Sequence, residues 1–109
     1  MQGQAKLVVI AGPHEGTEYP LFAGPLIIGR NTQSAAWDIC LQDRSVSRPH
    51  ARLECDAATS VWRIVDLGSA NGTLLNDELV TGPTGQVLRD GDVVCIGETE
   101  LLFSTAVSS

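Results

Sequence analysis

Punctuation limits the fold of this chain more than any other feature. Glycines number eleven and prolines five, and no stretch of roughly eleven residues or more keeps apolar side chains at helical spacing without one of them intervening. What recurs instead is short runs of β-branched, aromatic and aliphatic residues, each closed by turn residues. Lys6–Ala11 is the first, ended by Gly12-Pro13, and Thr17–Phe22 and Leu26–Gly29 follow, separated at Gly24-Pro25. Trp37–Leu41 precedes His50–Cys55, where Ala51, Leu53 and Cys55 alternate with Arg52 and Glu54. Val61–Asp66 sets Trp62 and Ile64 on one face and Val61, Arg63 and Val65 on the other. Thr73–Leu75, Glu78–Val80, Gln86–Arg89, Asp92–Gly97 and Glu100–Ser104 complete the series, the last two joined through Gly97-Glu98-Thr99 as a hairpin turn. About eleven short strands in about a hundred residues predict an all-β protein, an antiparallel sandwich or barrel.

Composition narrows the function classes. The 109 residues, 43% of them apolar, suit one domain with its own core. Seven Lys and Arg against thirteen Asp and Glu leave a net charge of −6, which opposes nucleic acid and anionic membrane as partners, because both are polyanions. The longest apolar runs, such as Leu7-Val8-Val9-Ile10-Ala11, fall far short of a membrane span or a signal-peptide core. Cys40, Cys55 and Cys95 form no C-x-x-C pair and fit neither a disulfide framework nor a zinc site. Each stands among apolar neighbours and is expected as a small reduced core residue, which implies a reducing, cytoplasmic setting. No cofactor or metal is expected.

The longest intervals without strand pattern are Asn31–Ala36, Gln42–Pro49 and Leu67–Gly72, and loops on a rigid scaffold are where binding residues gather. Arg30, Arg44, Arg48 and Arg52 fall between positions 30 and 52 with only Asp38 and Asp43 as acids. An anion-binding patch on an acidic domain follows, and every cation in it is arginine, whose planar fork grips phosphate bidentately. Ser45, Ser47, Ser69 and Asn71 add short hydroxyls and amides, and Asn71-Gly72 is a strong turn dipeptide.

These loops spell a pattern. Gly29-Arg30, then Ser47-Arg48-Pro49-His50, then Asn71-Gly72 resemble the G-R, S-x-x-H and N-G signatures of the forkhead-associated (FHA) family. The words between them, DICLQDRSVSRPHARL from Asp38, IVDLGSANGTLLN from Ile64 and LRDGDVVCIG from Leu88, resemble that family's framework, in the style of a bacterial member. The resemblance runs from Lys6 to Ser104 and implies a domain over 6–104, an N-terminal extension 1–5 and a tail or linker start at 105–109. It implies an FHA/SMAD-like β-sandwich of eleven strands whose loops at one end bind phosphothreonine peptides, recruiting a kinase-modified partner or another part of a longer polypeptide.

Residue by residue, the resemblance makes Arg30 a phosphate ligand, against a surface arginine paired to Asp38 or Asp43. Ser47 donates its hydroxyl to a phosphate oxygen, Arg48 binds peptide backbone or adds charge, and Asn71 bonds the peptide on either side of the phosphothreonine. Gly29, His50 and Gly72 support the site, His50 by bonding backbone so that the Ser47 loop keeps its shape. Ala70 stands where the family often carries a hydroxyl. His14 has no expected role, Ser69 bonds within its loop, and Asp90-Gly91-Asp92 reads as a turn. No enzyme is expected: Ser47 and His50 lack a third triad member. The alternative is an FHA-type scaffold that makes phosphate-independent protein contacts through its sandwich face or loops, which an exposed apolar face would distinguish.

Overall fold

Alternation of buried and exposed side chains along short runs turns this sequence into strands. The computed structural model describes residues 4–22, 25–32 and 37–106. Eleven strands follow in order: β1 Gln4–Ala11, β2 Glu18–Pro20, β3 Leu26–Arg30, β4 Ile39–Leu41, β5 Ala51–Asp56, β6 Val61–Asp66, β7 Thr73–Leu75, β8 Glu78–Leu79, β9 Gln86–Leu88, β10 Val93–Ile96 and β11 Thr99–Ala106. They form a six-stranded sheet ordered β2-β1-β11-β10-β7-β8 and a five-stranded sheet ordered β4-β3-β5-β6-β9. Leu7, Val9, Val94, Ile96, Leu101 and Phe103 from the first sheet meet Ile28, Leu41, Leu53, Ile64 and Leu88 from the second in one core. Burial of each such side chain contributes about 1.5–3 kcal/mol, which holds the two layers together.

The expected all-β sandwich of eleven strands is what forms, and two details of the reading change. Every strand pair among the described residues is antiparallel except β3 with β4, which run parallel through Ile28–Ile39, Gly29–Cys40 and Arg30–Leu41. Within β1 and β11, Gln4 and Ala5 pair with Ala106 and Thr105. The outermost residues of the expected extension and tail, 1–3 and 107–109, lie outside the described residues, as do residues 33–36 of the Asn31–Ala36 interval. The three cysteines are free and half-buried; Cys55 packs against the core as expected, while Cys40 and Cys95 do not. Cys40 stands between inward-facing Ile39 and Leu41, and Cys95 between Val94 and Ile96, so the pleat turns both thiols outward.

Loops at one end of the sandwich join β3 to β4, β4 to β5 and β6 to β7, and all three contain residues singled out by sequence. The β5–β6 hairpin lies at the opposite end. There a cavity of about 600 Å³ includes Arg63 and Arg89, but Asp56 and Asp90 in the same lining cancel their charge.

Candidate functional site

Two aspartates clamp the loops. Asp43 at the start of the β4–β5 loop is buried and accepts from the Ser45 N–H at 2.8 Å, the Glu98 N–H at 2.9 Å and the Thr99 hydroxyl at 2.8 Å. Asp66 at the end of β6 accepts from the Ser69 hydroxyl, the Thr73 hydroxyl at 2.7 Å, and the N–H groups of Gly68 and Ser69. Burial alone would raise both carboxyls, yet these hydrogen bonds to the charged form outweigh it and hold each below its ordinary value.

Between the clamps, His50 is fully buried. Its Nδ1 accepts from the Ser47 N–H at 2.9 Å, and its Nε2 lies 2.9 Å from the Gly72 carbonyl oxygen. A neutral ring protonated at Nε2 satisfies both contacts, so one side chain joins the Ser47 loop to the Asn71-Gly72 loop. Its backbone adds two more ties, from His50 N–H to the Ile28 carbonyl and from Leu67 N–H to the His50 carbonyl. The two loops also bond directly. Ala70 N–H donates to Ser47 Oγ at 2.9 Å, and Asn71 Nδ2 donates to the Ser45 carbonyl at 2.9 Å.

Those bonds decide which groups stay available. Ser47 Oγ accepts a hydrogen bond, so its own proton remains to be donated, and a hydroxyl that accepts is a stronger donor for it. Asn71 keeps its amide oxygen and one N–H on an exposed side chain. Arg30 leaves the end of β3 and donates through Nη1 to the Arg44 carbonyl at 3.3 Å, with no carboxylate partner among the described residues. Asp38, one suggested partner, accepts instead from the Ile27 N–H at 2.8 Å.

Arg30, Arg44, Ser45, Val46, Ser47, Arg48, Ala70 and Asn71 line one shallow groove of about 310 Å³. It holds three arginines and no carboxylate, on a chain of net charge −6. Chemically it offers guanidinium forks, a serine hydroxyl and an asparagine amide around a space suited to a small anion. Gly29, His50 and Gly72 lie behind it. A Cβ on Gly29 would meet the Trp37 ring at 2.6 Å, and Gly72 has φ +82° with Leu79 Cδ1 2.7 Å from where its Cβ would stand. Only glycine fits either place comfortably.

Two further parts of the sequence reading change. Arg52 is not in the groove: it sits on β5 and ion-pairs with Glu54 two residues on, because both project from the same face of the strand. His14 does have a partner, its Nε2 accepting from the Gln42 N–H at 3.0 Å. Ser69 bonds within its loop as expected, and Asp90-Gly91-Asp92 is a turn whose carboxylates accept from Thr105 N–H, Arg89 N–H and Asn76. Trp37 escaped the sequence reading. Its Nε1 donates to the Arg30 carbonyl at 3.0 Å while its ring covers Gly29, so it fixes the strand end that carries Arg30. Arg44 was counted only as general charge, although its side chain lines the groove and its carbonyl receives Arg30.

Residues 8–106 match the family described as the cytoplasmic domain of an inner membrane component of T3SS. The chain is 39% identical over 107 residues to the glycogen accumulation regulator GarA of Mycolicibacterium smegmatis, covering 98% of this chain and 63% of that one. It therefore spans less than two thirds of that regulator's length. The solved FHA domain of an Arabidopsis thaliana hypothetical protein superposes with a TM-score of 0.85 at 34% identity, covering 99% of this chain and 90% of the other. A domain solved in work on phosphothreonine-dependent FHA domain interactions superposes with a TM-score of 0.78 at 33% identity, covering 93% and 95%.

Proposed function

The chain belongs to the forkhead-associated domain family, and from that premise we propose that it is a phosphothreonine-peptide-binding interaction module that recruits a kinase-modified partner. The observation that carries this reading is the groove lined by Arg30, Arg44 and Arg48 together with Ser47 and Asn71, free of carboxylates. A phosphothreonine carries close to two negative charges at neutral pH and three acceptor oxygens. Arg30 grips the phosphate, the free Ser47 proton donates to one of its oxygens, and Arg48 and Arg44 supply charge at the exposed rim. Asn71, held by its bond to the Ser45 carbonyl, uses its remaining amide groups on the peptide backbone. Val46 and Ala70 give the groove apolar lining against which the γ-methyl of phosphothreonine packs. Ala70 contributes no hydroxyl, so the phosphate depends more heavily on the arginines.

We read the module as one that binds and does not catalyse, as one domain of a longer polypeptide, and as cytoplasmic. No helix among the described residues is long and apolar enough to cross a membrane. Titration with three matched peptides, carrying phosphothreonine, phosphoserine or unmodified threonine, tests the proposal. The phosphothreonine peptide binds tightest, by several-fold over phosphoserine for a methyl in an apolar setting worth about 1 kcal/mol. Equal binding of phosphorylated and unmodified peptides would overturn it.

A further inference from the structure

The outward faces of the two sheets differ in kind. On the five-stranded sheet charges of both signs interrupt the outward Ile27, Val65 and Val87: Arg52 is ion-paired with Glu54, and Glu54 stands opposite Arg63. On the six-stranded sheet they are apolar across several strands. Val8 of β1 stands opposite Leu102 of β11, and Leu102 opposite Val93 of β10. One row along, Cys95 of β10 stands opposite Leu74 of β7, and Leu74 opposite Leu79 of β8. Cross-strand partners share a face, and the fully buried Leu7, Val94 and Leu101 beside them show which face is inward. Leu79 is 56% exposed and Ile10 40%, and no strand or helix among the described residues covers this surface. Val8, Leu102, Val93, Cys95 and Leu74 between them are half-buried, and a contiguous apolar sheet face of this kind marks a place of contact.

Charge selects the occupant. Exposed Glu100 lies within the same row, opposite Cys95. Asp77 flanks it from the β7–β8 turn, where Asn76 and Asp77 have φ 51° and 71°, as a tight two-residue hairpin requires. The Asn76 side chain donates to Asp92 and accepts from the Val93 N–H, which fixes the turn. Asn76, Asp77, Val93, Cys95 and Glu100 line a notch of about 310 Å³. Burial first, and the charges of Glu100 and Asp77 second, push the Cys95 thiol up, which sets both carboxylates close to the apolar floor. Neither has a cationic partner among the described residues, since Lys6, the cation of this face, is engaged by Glu18 at 3.0 Å.

A second copy seated face to face would bring these carboxylates against each other, and an anionic bilayer would be repelled in the same way. A lysine or arginine fits: its aliphatic stem lies on Val93 and Cys95 while its charge sits between Asp77 and Glu100. We propose that the outward face of the six-stranded sheet is a second interaction surface, which takes a protein segment presenting apolar side chains around a lysine or arginine. It shares no lining residue with the arginine groove.

The test uses two sets of unphosphorylated peptides of about ten residues, one alternating leucine and valine with lysine, the other with glutamate in its place, as a strand would present them. Backbone amide shifts are followed by NMR. The lysine set moves the amides of Val93, Cys95, Glu100 and Leu102 and leaves those of Ser47, Ala70 and Asn71 in place, while the glutamate set moves neither group. Asp77→Lys combined with Glu100→Lys weakens the lysine set by roughly tenfold or more and admits the glutamate set. Should that double variant fold poorly, Glu100→Gln alone gives a several-fold loss. The proposal is overturned if both sets bind equally, if neither binds, if the shifts map to the groove, or if folded variants bind the lysine set as before. Phosphopeptide binding is unchanged in these variants, so failure here leaves the groove reading standing, and failure there leaves this one.

Discussion

Arg30 donates to the Arg44 carbonyl at 3.3 Å from a half-buried position, a bond that contributes little to folding but aims the guanidinium into the groove. A charge-assisted contact to phosphate is worth on the order of 1.5–3 kcal/mol, and a bidentate pair exceeds one such bond. Arg30→Ala therefore lowers phosphopeptide affinity by roughly tenfold to over a hundredfold and leaves the melting temperature nearly unchanged; calorimetry on both proteins checks it, and equal affinities would remove Arg30 from the site. His50 is the converse. Fully buried and bonded at both ring nitrogens, it would on replacement by alanine leave the Ser47 N–H and the Gly72 carbonyl unpaired beside a void. That costs on the order of 2–5 kcal/mol, so His50→Ala melts at least about 10 °C lower and loses affinity as a consequence. Ser47→Ala loses affinity directly and, because Ser47 Oγ accepts from Ala70, also melts slightly lower. A His50→Ala protein that melts like the parent yet fails to bind would make the ring a direct ligand instead of a brace.

At the scale of strands and loops, the positions that closed each run were legible from glycine, proline and Asn-Gly alone, and eleven strands formed where alternation and turn chemistry agreed. Partner choice was not legible. Nothing local in Leu26–Arg30 or Ile39–Leu41 says that these strands pair in parallel, because strand pairing is decided by the packing of the whole sandwich and not by either run. The same blindness hid Trp37, whose contact with Gly29 spans eight positions, and it misassigned Arg52, whose face was set by the pleat of β5. The motif residues were legible because the local loop words resemble a family. The aspartate clamps show as sequence only the acids of those words, but they carry a prediction. Both carboxyls are held below their ordinary value by hydrogen bonds in the folded protein. The stability they add is present above the unfolded carboxylate range near pH 4, and it is lost as pH falls through their lower folded values. Asp43→Asn and Asp66→Asn each reduce stability at neutral pH and flatten the acid limb of the unfolding curve below about pH 4. Melting temperatures taken across that range show it, and an unaltered limb in both variants would contradict the clamp.

Across the whole molecule, three of the six arginines line the loop-end groove with no carboxylate among them, while Arg52, Arg63 and Arg89 stand beside acids, giving a local anion site on a chain of net charge −6. Long-range attraction of a phosphopeptide is therefore weak, and binding rests on short contacts that salt screens only in part. The two aspartate clamps, held below their ordinary value, titrate below the window in which a phosphothreonine gains its second proton, near pH 6. Acidification through that window removes charge from the ligand while the clamps remain in place. The most direct measurement is thus the affinity of one phosphothreonine peptide and of its unphosphorylated twin at about pH 7.5, 6 and 5, with the fold followed by circular dichroism at each pH. A phosphate reader binds the phosphopeptide tightly at the highest pH, progressively more weakly as pH falls, and the twin poorly throughout. Affinities that are identical for the two peptides at every pH would contradict the account.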